Sequence, residues 1–197
     1  TDFILNRLAD PEWESIEQEW KSGNIGSAEC MARQIALIQA NQATLDATLD
    51  QIAIDPYFVE FMTYCQVSAI TVTIVSDGVD YFIRRILSRV GLDHLPIIAN
   101  RLVIGDTGYA LLSPYARADC SSASGVCKCR VVDDGQEPRI YIGDGRSDFC
   151  VSDKPEIVFA KKSLAVYCAQ HSIPYIGYED FSHVISALQR IMPVTMP

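Results

Sequence analysis

The stretch IYIGDGRSDFC, residues 140–150, decides the fold. Ile140, Tyr141 and Ile142 form a short apolar run that breaks at Gly143, and Asp144 follows at once. A short apolar run closed by a turn signal reads as a strand covered on both faces. In parallel α/β sheets ligands gather beyond the carboxyl ends of the strands, so Asp144 stands at a position for chemistry. Asp148 completes a D-x-x-x-D pair across Gly145, and two carboxylates at a strand end make a hard-oxygen site suited to Mg²⁺. Two plainer readings compete: a β-hairpin, since Asp-Gly favours tight turns, and a helix start rich in Ser and Asp. The continuation RSDFCVSDKP does not alternate as a returning strand should.

Upstream, AITVTIVS (69–76) is β-branched, apolar and uncharged, and predicts a second buried strand. The segment DGVDYFIRRILSRVGL follows at helical period, with Gly91 as its cap. PIIANRLVIG and GYALLSPY predict shorter strands around a glycine-containing turn, and residues 117–130 read as a Ser- and Cys-rich loop. Downstream, 157–160 and 175–177 repeat the strand pattern, with helices over 162–171 and 179–191. Strand and helix thus alternate from residue 69 onward, which predicts an α/β fold with a parallel sheet. Before it, the chain reads as helices: one from Pro11 to Gly23, then one from Ser27, one from Thr44 and one from Pro56. The expected domains are residues 1–67, a helical lobe, and 68–197, the core.

Composition narrows the function. The 197 residues are 49% apolar and 21% charged, enough for a packed core. The formal net charge of −9 argues against nucleic acid, whose phosphates are held by basic stripes. A small phosphate ligand needs only a few local donors. No apolar run reaches the ~20 residues of a membrane span. TDFILNRLADPEW has neither the basic start nor the apolar stretch of a signal peptide. Seven scattered cysteines then suit thiols in a reducing cytoplasm.

Ser76 sits where strand meets helix, either as an N-cap or as a hydroxyl holding a phosphate oxygen together with the N–H groups of Asp77 and Gly78. Lys128, in GVCKC, is a solvated charge unless its loop folds back over the sheet edge. Cys120, Cys127, Cys129 and Cys150 raise structural zinc, although C-x-C is tighter than a zinc knuckle. His94, His171 and His183 are scattered and form no triad.

Taken in order, VTIVSDG, GVCKC and IYIGDGRSD resemble motifs II, III and IV of the haloacid dehalogenase superfamily. The chain is most similar to its phosphoserine phosphatase-like subgroup, and within it to the 2-hydroxy-3-keto-5-methylthiopentenyl-1-phosphate phosphatase-like proteins. The opening TDFILNRLADPEW and the stretch GNIGSAECMARQIALI carry that second likeness. The resemblance implies a Rossmann-like core with a small helical cap and a Mg²⁺-dependent phosphomonoesterase working through an aspartyl-phosphate. It implies that Ser76, Asp77, Gly78 and Lys128 bind the phosphoryl group, with Ser76 and Lys128 in catalysis. Asp144 would hold Mg²⁺, and Asp148 would support the metal site or the lysine.

Motif I, D-x-D-G-T, supplies the nucleophile in this family and is expected just upstream of Thr1. Asp2 lacks a preceding apolar strand, and Asp10 reads as a helix cap. The chain as written is therefore expected to be inactive, and its counterpart carrying the upstream strand active. Residues 1–67 would be the cap and its hinge to that strand. Arg33 and Glu29, one turn apart, would face the substrate or else form a surface pair. The expected partner is a small phosphorylated metabolite. The alternatives are a non-catalytic phosphate-binding relative and a zinc-stabilised interaction module. The sequence leaves the particular phosphomonoester and the oligomeric state open.

Overall fold

The computed structural model describes residues 1–106, 108–120, 123–134 and 138–192. Ser121 and Ser122 of the cysteine-rich loop lie outside the described residues. The chain packs as two units. The first holds Thr1–Ala53 and Thr73–Cys127; the second holds Ile54–Val72 and Lys128–Pro197.

The first unit opens with four helices, α1 (Asp2–Leu8), α2 (Trp13–Lys21), α3 (Ser27–Ala36) and α4 (Gln42–Leu49). Strand β1 (Ile74–Val79), helix α6 (Asp80–Ser88) and the pair β2 (Ile97–Gly105) and β3 (Gly108–Leu112) complete it. β1 runs parallel to β2, and β2 turns back antiparallel into β3. Ile4, Leu5, Ile35, Ile38, Leu45 and Leu49 form one core with Val79, Phe82 and Tyr109. The apolar stripes of α1, α3 and α4 thus close on the sheet and on α6. Arg85 on α6 grips Asp50 through two hydrogen bonds of 2.9 and 2.7 Å, and the Tyr81 hydroxyl donates to Asp46 at 2.6 Å.

The predicted strand over 69–76 differs in register from the observed one. β1 begins at Ile74 and runs on through Ser76, Asp77 and Gly78 to Val79. Val75 pairs with Ile98 and Val79 with Asn100, so the residues between them bulge from the ladder. The physical reason lies in the partner: β2 begins at Ile97 and offers nothing to residues 69–73.

The second unit contains α5 (Phe58–Val67), α7 (Lys128–Asp133), β4 (Ile140–Gly143), a 3₁₀ helix η1 (Arg146–Val151), β5 (Ile157–Ala160), α8 (Lys162–Gln170), β6 (Ile176–Gly177) and α9 (Phe181–Ile191). Its sheet is wholly parallel in the order β4-β5-β6. Val158, Ala160, Leu164 and Cys168 form the core between β5 and α8. Phe58 and Phe61 of α5 meet Phe181 of α9 at ring-centroid distances of 5.0 and 4.7 Å. Among the described residues no helix is long and apolar enough to cross a membrane.

Burial sets the expected energetics. Ile35 is fully buried in the first core, whereas Val166 on α8 is 57% exposed. Ile35→Ala is expected to cost about 2–5 kcal/mol in urea unfolding and Val166→Ala within about 0.5 kcal/mol, so equal costs would contradict this core assignment.

Candidate active site

In the second unit, β4 delivers its carboxyl end into Asp144, and the chain turns at once into η1. It forms no hairpin; of the two plainer alternatives the helix start rich in Ser and Asp is the one observed, as a 3₁₀ helix with Asp148 in its first turn. The turn is organised by the Asp148 carboxylate, which is almost fully buried. Its Oδ2 accepts from the backbone N–H groups of Asp144 and Gly145 at 3.0 and 2.9 Å. Its Oδ1 accepts from the Lys128 ammonium and, at 2.8 Å, from the Tyr141 hydroxyl. Lys128, equally buried, also donates to Ser147 Oγ at 3.0 Å.

Burial alone pushes the Asp148 carboxyl pKa up, but the Lys128 charge and the donated hydrogen bonds outweigh it and hold the group below the ordinary 3.8. Tyr141 is pushed strongly upward, first by burial and then by the Asp148 charge, so it remains a neutral donor. Gly143 is required by the same packing, because a Cβ there would stand 2.7 Å from Asp148 Oδ2 and 3.0 Å from Leu164.

Asp144 contrasts with Asp148. Its side chain is half-exposed, and Lys162 Nζ donates to its Oδ2 at 2.8 Å. Its backbone carbonyl accepts from Ser163 Oγ and Leu164 N–H at the start of α8. Lys162 sits at φ 49°, a left-handed conformation costly for a side chain with a Cβ. Tyr178, beyond β6, donates to the Gly143 carbonyl at 3.4 Å and lies under the Lys161 ammonium, 4.7 Å from its ring centre. The carboxyl edge of this sheet thus carries Asp144, Lys161 and Tyr178 in strand order.

In the first unit, Ser76 is no helix cap: its Oγ accepts from Gly78 N–H at 3.0 Å inside the β1 bulge, and α6 starts after Val79. Asp77 is turned inward. Its carboxylate accepts from Ser27 Oγ on α3 at 2.6 Å, from Val126 N–H at 3.0 Å and from Asn100 Nδ2 at 3.4 Å. Asn100, fully buried on β2, donates as well to the Asp77 carbonyl at 2.6 Å. This explains the glycine of GVCKC: a Cβ on Gly125 would fall 2.1 Å from Asn100 Oδ1. Arg33 is held by Glu19 of α2 through two hydrogen bonds of 2.8 and 3.0 Å, with Glu29 at 3.6 Å.

The expected site residues therefore divide between the units. Ser76, Asp77 and Gly78, with Arg33 and Glu29, belong to the first; Lys128, Asp144 and Asp148 come together in the second. Sequence reasoning missed Tyr141, Lys162, Asn100 and Ser27. Tyr141 carried a faint signal as the polar-tipped residue of an otherwise apolar strand, whereas Asn100 and Ser27 carried none. Among the described residues no three His, Cys, Asp or Glu side chains gather as a metal-ligand set.

The model of the family described as "Putative Phosphatase" matches residues 14–167. The chain belongs to that family. A 2-hydroxy-3-keto-5-methylthiopentenyl-1-phosphate phosphatase of Brevibacillus brevis is 28% identical to it over 194 residues, covering 95% of this chain and 87% of the relative. The namesake from Geobacillus thermodenitrificans is 24% identical, covering 95% and 88%. Among solved structures, a HAD family hydrolase of Salmonella enterica superposes with a TM-score of 0.69 at 20% identity, over 94% of this chain but only 63% of that longer one. A phosphoserine phosphatase captured as a phospho-aspartyl intermediate analogue gives 0.65 at 17% identity, over 89% and 84%. The fold is that of the haloacid dehalogenase superfamily.

Two outcomes test this geometry. Asp148→Asn leaves a buried ammonium without its counter-charge and is expected to cost about 3–5 kcal/mol in urea unfolding near neutral pH. Because the folded-state pKa of Asp148 lies below 3.8, its contribution is complete above that value and fades as pH falls through the folded pKa. Wild-type stability should thus lose in acid a component that the variant lacks, and parallel pH profiles would refute the pairing. Separately, Gly125→Ala is expected to cost about 1–3 kcal/mol through overpacking, against little for Gly177→Ala, where nothing lies within 4 Å.

Proposed function

We propose that the protein is a Mg²⁺-dependent phosphomonoester hydrolase acting on a small phosphorylated metabolite. The observation that carries this reading is the buried Lys128–Asp148 pair beside Asp144 at the carboxyl end of β4. Membership of a phosphatase family and the names of the relatives support it. A methylthiopentenyl-type enol phosphate is the substrate those names suggest. The cytoplasm fits a chain whose seven cysteines are thiols.

In this reading Lys128 binds the transferring phosphoryl group, and Asp148 fixes where that ammonium points. A phosphate dianion approaching a carboxylate is repelled, and a fixed ammonium offsets the charge without reorganisation. In the first unit the Ser76 hydroxyl is the group the resemblance assigns to phosphate, while the Gly78 N–H is already donated to Ser76 Oγ and the Asp77 carboxylate faces inward. Asp144 is the residue to hold Mg²⁺: a half-exposed hard-oxygen donor with one oxygen on an exposed lysine fits an ion that keeps waters and takes only one or two carboxylates. Asp148, with both oxygens engaged, serves that site through Lys128 and the turn. When bound, Mg²⁺ neutralises the phosphoryl oxygens and the developing charge of the transfer.

The nucleophilic carboxylate of this reading lies upstream of Thr1. Among the described residues β1 pairs only with β2, and β4 only with β5, so each sheet keeps an edge on which a further strand can pair. The carboxylate attacks phosphorus, the leaving alkoxide takes a proton, and water then hydrolyses the acyl phosphate. The cap of this reading draws on α1–α4 of the first unit, with Arg33 and Glu29 as candidate substrate contacts once Arg33 releases Glu19.

The test is phosphate release from para-nitrophenyl phosphate and from the enol phosphate, using the chain with its upstream codons restored. Hydrolysis should require Mg²⁺, stop with EDTA, and fall roughly 10²–10³-fold in Lys128→Met. Asp144→Asn should weaken Mg²⁺ dependence and turnover together, and the chain starting at Thr1 should be inactive. Turnover indifferent to EDTA and to Asp144→Asn would overturn the proposal. Mg²⁺-dependent phosphate binding without turnover in the longer chain would favour the non-catalytic relative.

A further inference from the structure

We infer that Cys129 and Cys150 form a peroxide-sensitive thiol pair, a modification site in the second unit that closes as a disulfide. Cys129, on α7, donates from Sγ to the Cys150 carbonyl oxygen at 3.0 Å. A carbonyl oxygen lies about 2.4 Å from its own Cα, so the Cys129 sulfur is within about 5.4 Å of Cys150 Cα. Disulfides bridge Cα atoms about 4.4–6.8 Å apart, so the bond requires the Cys150 sulfur to turn toward Cys129 and the two backbones to stand within that range.

A second observation places both sulfurs in one locality. Both thiols lie near enough to the Tyr141 hydroxyl to help raise its pKa, which puts them in one locality. Both side chains are half-buried and open to a small oxidant, whereas Cys30, Cys65, Cys127 and Cys168 are buried. The Cys30 and Cys65 thiols are pushed up to about 11 by burial, which keeps them protonated and unreactive.

The chemistry balances with hydrogen peroxide as oxidant. The Cys129 thiolate attacks one peroxide oxygen and the O–O bond breaks; with one proton taken up, the products are a sulfenic acid and water. The Cys150 thiol then displaces the sulfenic hydroxyl, forming the S–S bond and releasing a second water. Two thiols are oxidised by two electrons and one peroxide is reduced. The bond ties α7 to η1, the two elements already joined by Lys128 and Asp148. Its existence does not depend on the proposed phosphatase activity.

The test is to treat the folded chain with hydrogen peroxide, alkylate the remaining thiols, and map peptides by mass spectrometry. A protease other than trypsin is needed, since Lys128 and Arg130 bracket Cys129. The expected result is a Cys129–Cys150 linked peptide that dithiothreitol reverses. Cys150→Ser should abolish it and leave Cys129 trapped by dimedone as the sulfenic acid. Cys120→Ser should retain the linkage and guards against a folding defect in the first variant. Absence of the linked peptide in the wild type, its loss in Cys120→Ser, or oxidation of Cys129 straight to sulfinic acid irrespective of Cys150 would overturn the inference.

Discussion

A carboxylate and an ammonium share a site from which water is largely excluded, and the second unit is arranged around making that tolerable. Removing either charge from water costs several kcal/mol, and the mutual attraction of Lys128 and Asp148 offsets this only when the remaining lone pairs are also satisfied. Asp148 meets that condition with four donors, drawn from α7, β4 and the turn into η1. Each donor constrains an element. Lys128 ties down the helix after the cysteine loop, Tyr141 fixes the facing of β4, and the two backbone N–H groups force the chain to turn at Asp144. Asp144 is presented at the sheet edge because Asp148 is buried behind it.

The first unit repeats the device with a different acid. Asp77 is buried in the β1 bulge and collects donors from α3, from β2 and from the segment before Lys128. The donors are neutral there, so the carboxylate is satisfied by hydrogen bonding alone. The bulge is the geometric means: extra residues opposite β2 turn the Asp77 side chain inward and leave Ser76 and Gly78 to form a local hydrogen-bonded turn. In both units glycine marks the place where a polar side chain fills the space of a Cβ, Asn100 beside Gly125 and Asp148 beside Gly143. These motif glycines answer to excluded volume rather than to an unusual backbone angle.

Much of the architecture was legible in the chain. The alternation from residue 69, the apolar run at 140–142 and the helical periods of α6 and α9 are local signals, and local chemistry decides them. The start of β1 was misplaced because 69–73 are as apolar and β-branched as the strand proper; only the length of β2 tells them apart. The capping role considered for Ser76 failed for a related reason, since the helix could not begin while Val79 still paired with Asn100.

The sequence by itself determined the class of fold and the chemical types of its polar motif residues, because periodicity and turn residues act over a few positions. Tertiary structure alone decided the division of labour between like residues. Asp144 and Asp148 are equivalent as letters, yet one is half-exposed on a lysine at the surface and the other is locked among four donors. Asp77 looked outward as a motif residue and proves to be turned into the core. Burial and partner choice depend on segments far apart along the chain, and no local pattern encodes which of two carboxylates will lose its water.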